Sequence, residues 1–177
     1  MRQLTFEGYL SSYVQHLVGQ NTLSLSKLTK LAKSEPRVVE PLLLWAAVSG
    51  HTNRLSRLLN GPQSLELELR TLAALNERGQ LESALAEDDS SLRPEYTKVW
   101  RSYTVRRDAS ARDAQLKLKM RDRALELEAA KGVTRYRMAK DLGLNPGNLH
   151  AFLTQAKTSK LSLERAYELV NYLDAAA

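Results

Sequence analysis

The sequence predicts an all-α protein, and three of its properties indicate this fold class. The helix-forming residues Leu, Ala, Lys, Arg and Glu are abundant along the whole chain. Runs of β-branched residues, which are typical of strands, are scarce. Apolar residues recur every three or four positions, as they do in helices that bury one face. With 43% apolar residues in 177, the chain has enough material for packed cores.

The first half of the chain predicts a series of short helices separated by glycine, proline and capping residues. Phe6, Tyr9, Leu10, Tyr13 and Leu17 lie at helical spacing before Gly19. The largely apolar segment 38–49 is expected at the centre of the first core, where Pro41 is tolerated only in the first turn of its helix. A second helix is predicted to begin at Ser24 or Ser26 and to run through Lys33. Further helices are predicted over 52–59, 64–77 and 80–86, with a break at Gly61-Pro62 before 64–77.

Residues 92–123 predict basic connecting helices. They form either two helices, 92–107 and 109–123, or one long helix interrupted near Asp108-Ala109-Ser110. Cations outnumber acids in this stretch by ten to four. An apolar stripe along the second part and the helix that follows comprises Leu116, Met120, Ala124 and Leu127, widened by Leu118 and Leu125.

Residues 135–154 (RYRMAKDLGLNPGNLHAFLT) have the pattern of two helices joined by a tight turn. Ala139 is small enough for the second helix to cross closely over the first. Gly143 follows a helical run and can adopt the positive φ that ends a helix. Asn145 offers an N-cap oxygen, and Pro146 suits the first helical position. A small core between the two helices is expected from Met138, Leu142, Leu149 and Phe152.

The sequence on either side of this pair predicts two more helices. Residues 123–131 indicate a helix that ends at Gly132, after which Thr134 caps the next one. Downstream, Ser162 is expected to cap a helix over 163–173. The apolar stripe predicted for that helix is Leu163, Ala166, Tyr167, Val170 and Leu173.

Residues 120–174 resemble the Cro/CI-like (XRE-type) helix-turn-helix family. The family's small residue, turn glycine and apolar positions are matched by Ala139, Gly143, Leu144, Leu149 and Phe152. The resemblance implies that the second helix enters the major groove of double-stranded DNA, most simply to repress transcription by covering a promoter. It also implies base contacts from Asn145, Gly147, Asn148, His150, Ala151 and Thr154, and phosphate contacts from Arg135, Tyr136, Arg137, Lys157, Ser159 and Lys160.

Two of these positions are the strongest candidates for reading base edges. Asn148 has the paired donor and acceptor that match adenine N6 and N7, and His150 can donate to a guanine acceptor. The recognition helix begins Asn-Pro-Gly-Asn and is poorer in long polar side chains than is usual in the family.

The charge distribution favours a polyanionic partner for the second half of the chain. Residues 1–90 carry a net charge of −1, whereas residues 91–177 carry +7. The basic connector is compatible with two interpretations. Its cations either lie along the surface of the neighbouring domain with their alkyl chains packed, or they extend the DNA footprint.

Catalytic, cofactor and metal chemistry are not expected from this sequence. There is no cysteine, and the three histidines, His16, His51 and His150, are scattered. No phosphate-binding glycine loop occurs. The longest apolar run, 41–48, is too short to span a bilayer, and the N-terminus lacks the apolar core of a signal peptide. We therefore expect a cytoplasmic, non-enzymatic protein without cofactors and without membrane association.

The predicted organisation has three parts. Residues 1–87 form an N-terminal helical domain for dimerisation or partner binding, 88–119 form the basic connector, and 120–177 form the DNA-binding domain. A homo-oligomer, most simply a dimer, is expected because one helix-turn-helix reads few base pairs. The alternative is an antitoxin or defence-system subunit whose N-terminal domain binds a protein, with DNA binding for autoregulation.

Overall fold

A computed structural model describes residues 4–19, 21–59 and 63–176 of the chain. These residues are predominantly helical and include no strand, which confirms the all-α prediction. The predicted break at Gly61-Pro62 and the first three residues of the N-terminal segment lie outside the described residues. The helices are α1 (Phe6–Val18), α2 (Leu25–Ser34), α3 (Val39–Val48), α4 (Thr52–Leu59), α5 (Gln63–Glu77), α6 (Leu81–Ala86), α7 (Pro94–Lys131), α8 (Arg135–Asp141), α9 (Pro146–Gln155) and α10 (Leu163–Ala175), with 3₁₀ turns at Pro36–Val38 and Thr158–Lys160.

The described chain divides into two compact units, and the division falls inside α7. The first unit comprises residues 4–106 and the second comprises residues 107–176. The limits predicted from sequence, at 87/88 and 119/120, lie on either side of this division.

Helix α3 is at the centre of the first unit. All residues from Pro41 to Ala47 are buried, and the helix packs against α1 and α5. Pro41 is the third residue of α3, as expected, because backbone N–H groups in the first turn have no acceptor within the helix. The apolar segment 38–49 therefore forms the core that its composition predicted.

Aromatic rings attach the start of α7 to α1 within the first unit. The Phe6 ring lies 4.9 Å from that of Trp100 in an edge-to-face arrangement and 5.0 Å from that of Tyr103. Tyr9 lies 5.5 Å from Tyr103, whose hydroxyl donates to the carbonyl of Leu4. The start of α7 thus contributes to the first core.

Helix α7 is one unbroken helix, so the predicted interruption near Asp108-Ala109-Ser110 is wrong. The segment contains no glycine or proline to break the helix, and its polar residues are exposed. The apolar stripe predicted on this helix is only partly buried. Ala124 and Leu127 are buried, whereas Leu116 and Leu118 are exposed.

The core of the second unit is formed by the end of α7 together with α8, α9 and α10. Its buried residues are Ala124, Leu127, Val133, Met138, Ala139, Leu149, Phe152, Leu153, Leu161, Ala166, Leu169 and Leu173. The stripe predicted for α10 is wrong at Tyr167, which is 58% exposed, and it missed the fully buried Leu169. The buried face is centred on Ala166, Leu169 and Leu173, and Tyr167 lies beyond its edge.

Candidate nucleic-acid interface

The turn between α8 and α9 is closed by a Schellman motif around Gly143. Gly143 has φ +60°, and its N–H donates to the carbonyl of Lys140. The N–H of Leu144 donates to the carbonyl of Ala139 at 2.8 Å, the bond between the sixth and first residues that defines the motif. A Cβ added to Gly143 would meet nothing within 4 Å, so the backbone conformation, and not lack of space, favours glycine here.

Helix α9 begins as its sequence predicted. Asn145 has extended backbone angles, and its side-chain oxygen accepts from the N–H of Asn148 at 3.1 Å. Pro146 occupies the first helical position, where its missing N–H costs nothing. Similar caps begin α8 at Thr134 and α10 at Ser162, each accepting from the N–H three residues later.

The inner face of α9 is held in the core of the second unit. Leu149, Phe152 and Leu153 are buried, opposite Met138 and Ala139 of α8. The guanidinium of Arg121 on α7 also donates from Nε to the carbonyl of Leu153 at 2.8 Å. Because packing and this hydrogen bond both fix α9, its outer face has a defined orientation within the unit.

The outer face of α9 carries most of the predicted base-contacting residues. Asn145, Gly147, His150 and Thr154 are exposed, and Asn148 is half-buried. The prediction that Ala151 lies on the outer face is wrong, because this residue is only 9% exposed and lies against the protein. An alanine can be placed on either face from sequence alone, and here it lies on the edge next to Phe152.

Internal hydrogen bonds limit what these side chains can offer to a ligand. The hydroxyl of Thr154 donates to the carbonyl of His150 at 2.6 Å, so it retains only acceptor capacity. The side-chain oxygen of Asn145 is used in capping, which leaves its amide hydrogens. Within the described chain, the side chains of Asn148 and His150 form no hydrogen bond, so both can pair fully with a ligand.

One predicted phosphate contact, Arg135, forms an ion pair within the second unit. Arg135 donates to both carboxylate oxygens of Glu128, at 2.7 and 3.0 Å, which joins the start of α8 to the end of α7. The hydrogen bonds that Arg135 donates to Glu128 raise the pKa of the guanidinium. The ion pair positions the start of α8, and the guanidinium of Arg135 remains partly exposed.

The other predicted phosphate contacts lie on the surface of the second unit. Tyr136 and Arg137 are exposed on α8. The Nε atom of Arg137 lies 3.5 Å from Oδ2 of Asp141. Lys157, Ser159 and Lys160 are exposed around the 3₁₀ turn that follows α9. The sequence interpretation missed Lys140, an exposed cation on α8 for which the described residues provide no ion-pair partner.

Two positioning residues were also missed, since no local pattern marks them. Arg121 was counted only as part of the basic stretch, yet it holds α9. The hydroxyl of Tyr172 on α10 donates to the carboxylate of Asp141 on α8 at 2.6 Å, which raises the pKa of the tyrosine. Both bonds link residues more than thirty positions apart, so sequence spacing could not reveal them.

Neither metal-binding nor membrane-spanning features appear in the parts of the chain described. Residues 4–19, 21–59 and 63–176 contain no group of three or more His, Asp or Glu side chains that could hold a metal ion. Over the same ranges, every helix is too short or too polar to cross a bilayer.

The arrangement is chemically suited to a polyanion with hydrogen-bonding edges. Helix α9 contains no acidic residue, and its outer face offers an amide, an imidazole and a glycine backbone. Cations lie on α8 and after α9.

Comparison with protein-family models, curated proteins and solved structures finds no match for this chain.

Proposed function

We propose that this chain binds double-stranded DNA with sequence preference by placing α9 in the major groove, and that it represses transcription from the site it covers. One observation carries the proposal most. The inner face of α9 is fixed in a core while the side chains of Asn148 and His150 on its outer side have unused hydrogen-bonding capacity. A helix of this kind fits the major groove, where each base pair presents a distinct pattern of donors and acceptors.

The base contacts we propose follow from the capacity left on each side chain. The amide of Asn148 pairs with N6 and N7 of adenine, and His150 donates to a guanine acceptor. Gly147, without a side chain, lets the backbone of α9 approach the groove. Asn145 contributes a donor only, and Thr154 contributes an acceptor only.

The phosphate contacts we propose come from cations that have no strong internal partner. Lys157 and Lys160 follow α9, and Lys140 and Arg137 lie on the exposed side of α8. Arg135 contributes less charge than these cations, because it is already paired with Glu128. These contacts set the register of the helix on the duplex without reading sequence.

A binding experiment with base-edge variants tests sequence reading. The full chain is titrated against a duplex from its own upstream region and against a shuffled duplex, with fluorescence anisotropy as the readout. We expect a preference of about a hundredfold for the native duplex at near-physiological salt. Asn148→Ala with His150→Ala should remove most of this preference and leave binding to the shuffled duplex nearly unchanged.

A matched control changes the same residue types elsewhere. Asn171→Ala with His16→Ala replaces an exposed asparagine and an exposed histidine outside α9, and should leave both affinities unchanged. Equal losses on both duplexes in the α9 variant would remove the base-reading role. Equal, salt-labile binding of the unmodified chain to both duplexes would contradict the proposed sequence preference.

The salt dependence of binding tests the phosphate contacts. Lys157→Ala with Lys160→Ala should weaken all duplexes alike and reduce the slope of log affinity against log salt by roughly two units, about one per lost contact. Lys27→Ala with Lys30→Ala, on α2 of the first unit, serves as the charge-matched control and should leave the slope unchanged. An unchanged slope in the Lys157 and Lys160 variant would exclude those lysines from the interface.

We also propose that the DNA-bound form is a dimer. A single recognition helix contacts few base pairs, and a two-fold pair of such helices doubles the site. The stoichiometry on a duplex that contains the complete site tests this. Two chains per duplex, and a large loss of affinity on a half-site, are expected; one chain per site with no half-site loss would contradict it.

A further inference from the structure

The exposed surfaces of α2 and α4 in the first unit carry cations and no acids. Helices α2 and α4 pack against each other. Neither helix contains an aspartate or a glutamate. Their exposed cations are Lys27, Lys30, Lys33, Arg54 and Arg57. The first unit thus concentrates positive charge on one pair of helices, although residues 1–90 carry a net charge of −1.

These five cations differ from three arginines elsewhere in the first unit, which form ion pairs. Arg70 pairs with Glu66 at 2.7 Å, Arg93 bridges Glu40 and Glu68, and Arg101 pairs with Asp88. Within the described chain, no carboxylate lies at ion-pair distance from the five cations of α2 and α4. Their charge is therefore available to an external anion, whereas Arg70, Arg93 and Arg101 are paired within the unit.

A groove with a mixed apolar and polar lining includes one of these cations, Arg54. It has a volume of about 500 Å³ and extends from the start of α2 to α4. Leu23, Leu25, Leu58 and Trp45 supply its apolar lining, and Ser24, Ser26, His51 and Arg54 supply its polar lining. Leu58 is 39% exposed, so its side chain is accessible to a ligand.

Trp45, in the lining of the groove, is held by internal contacts, and Ser24 offers a free hydroxyl. The indole of Trp45 donates to Ser11 at 3.2 Å, and its ring lies 5.2 Å from that of His51. Ser24 occupies the N-cap position of α2 but does not use its hydroxyl in capping, so that hydroxyl is available to an external group. Apolar and anionic groups of a ligand could therefore be accommodated side by side.

We propose that this groove and the cations around it bind an acidic amphipathic helix of a protein partner. The apolar face of such a helix would cover Leu23, Leu58 and the edge of Trp45, in the helix-in-groove mode of peptide recognition. Its carboxylates would pair with Arg54 and with the lysines of α2. Charge complementarity both speeds the encounter and selects against basic partners.

A nucleic acid fits this surface less well. Phosphates would satisfy the cations but would make no use of the leucines that line the groove. Trp45 is only 5% exposed, so its ring face is not available for a base to stack on. The combination of leucines in the lining with Arg54 and the lysines of α2 therefore favours an acidic protein segment over DNA or RNA.

A model peptide tests the chemistry of the surface on the full chain. The probe is a fluorescent synthetic peptide of about 18 residues, with leucines along one helical face and glutamates elsewhere. A second peptide of the same composition has its leucines spread around the helix, and a third replaces glutamate with lysine. We expect the first peptide to bind about tenfold more tightly than the second, and the third not to bind.

Variants on the chain localise the binding. Lys27→Glu with Arg54→Glu should weaken the first peptide by about tenfold or more. Arg112→Glu with Lys119→Glu reverses two exposed cations of α7 and should have no effect. Leu58→Ser tests the apolar lining and should also weaken binding, whereas Leu67→Ser at a more exposed leucine outside the groove should not.

Several outcomes would overturn the proposal. These are no binding of the first peptide, equal binding of the first and second peptides, or equal affinity of the Lys27/Arg54 variant and the Arg112/Lys119 control. A loss of duplex DNA binding in the Lys27/Arg54 variant without a loss of peptide binding would assign the surface to nucleic acid instead. The result is independent of the proposed DNA function, because the α9 variants test that function and leave α2 and α4 intact.

Discussion

Helices α3 and α9 are each 10 residues long and each has a proline in the first turn, yet they are used in opposite ways. Helix α3 buries every residue from Pro41 to Ala47, whereas α9 buries only Leu149 and Ala151–Leu153. Folding of the first unit needs all sides of α3. Folding of the second unit needs one side of α9, which leaves the other side free to be selected for binding.

The largest effect expected from this comparison separates the two sides of α9. Phe152→Ala removes a fully buried ring and should lower the free energy of unfolding by about 3–5 kcal/mol. His150→Ala, on the outer side, should change it by less than about 0.5 kcal/mol. Chemical denaturation of both variants measures the difference. A similar loss in the two variants would mean that the outer face also serves the fold.

In α3, by contrast, no comparable tolerant side is expected. Leu44→Ala should cost about 2–5 kcal/mol, because the side chain is fully buried between helices. The same denaturation experiment applies. A loss below about 1 kcal/mol would show that the first core adapts to a cavity, and the contrast with α9 would then weaken.

A smaller effect is expected at the two residues of left-handed backbone that follow α8 and α9. Gly143, in the turn after α8, has φ +60°, and Ala156, directly after α9, has φ +51°. Because a Cβ strains left-handed backbone, Gly143→Ala should destabilise the protein by about 1–2 kcal/mol. Ala156→Gly should stabilise it by about 0.5–1 kcal/mol, the relief of strain less the entropy cost of glycine. Equal signs for the two substitutions would contradict this account of the helix ends.

The smallest expected effect is the pH dependence of the stability that Tyr96, on α7, contributes to the first unit. The hydroxyl of Tyr96 donates to Glu68 at 2.9 Å. Burial, and to a lesser degree this hydrogen bond, raises the pKa of Tyr96 above the ordinary value of 10.0. The unfolded chain releases this proton first as pH rises. Stability contributed by the protonated tyrosine is therefore complete below pH 10.0 and lost above it.

Denaturation of the chain and of Tyr96→Phe between about pH 8 and about pH 11 measures this loss. The variant should lose less stability over that range than the unmodified chain. Tyr172→Phe is the control: Tyr172 also has a raised pKa, from its bond to Asp141, but it is solvent-accessible and should contribute less. Identical alkaline curves for the chain and the Tyr96 variant would contradict the assignment.

The sequence predicted those features that neighbouring residues determine. Thr134, Asn145 and Ser162 cap the helices they were expected to cap, and Gly143 has the positive φ its position required. Each feature depends on a backbone group within about four residues. The apolar segment around Leu44 was likewise predicted to be central, because its composition leaves no polar face.

What the sequence could not predict depends on contacts between residues that are not neighbours in one helical turn. The pairing of Arg135 with Glu128 crosses the end of a helix, and Arg121 reaches α9 from 32 positions away. Tyr167 has the apolar character of a core residue, and only the packing of α10 shows that Leu169 is buried in its place. Helix α7 is continuous because it contains no residue that breaks a helix after its first turn. Asp108 and Ser110 were wrongly interpreted as marking an interruption.

Amide NMR of the full chain with and without its upstream duplex tests the central claim most directly. We expect the largest shift changes on the outer side of α9, at Gly147, Asn148, His150 and Thr154, with smaller changes at Lys157 and Lys160. The amides of α3 should stay unchanged. Changes centred on α2 and α4, with α9 unaffected, would contradict the account and place nucleic-acid binding in the first unit.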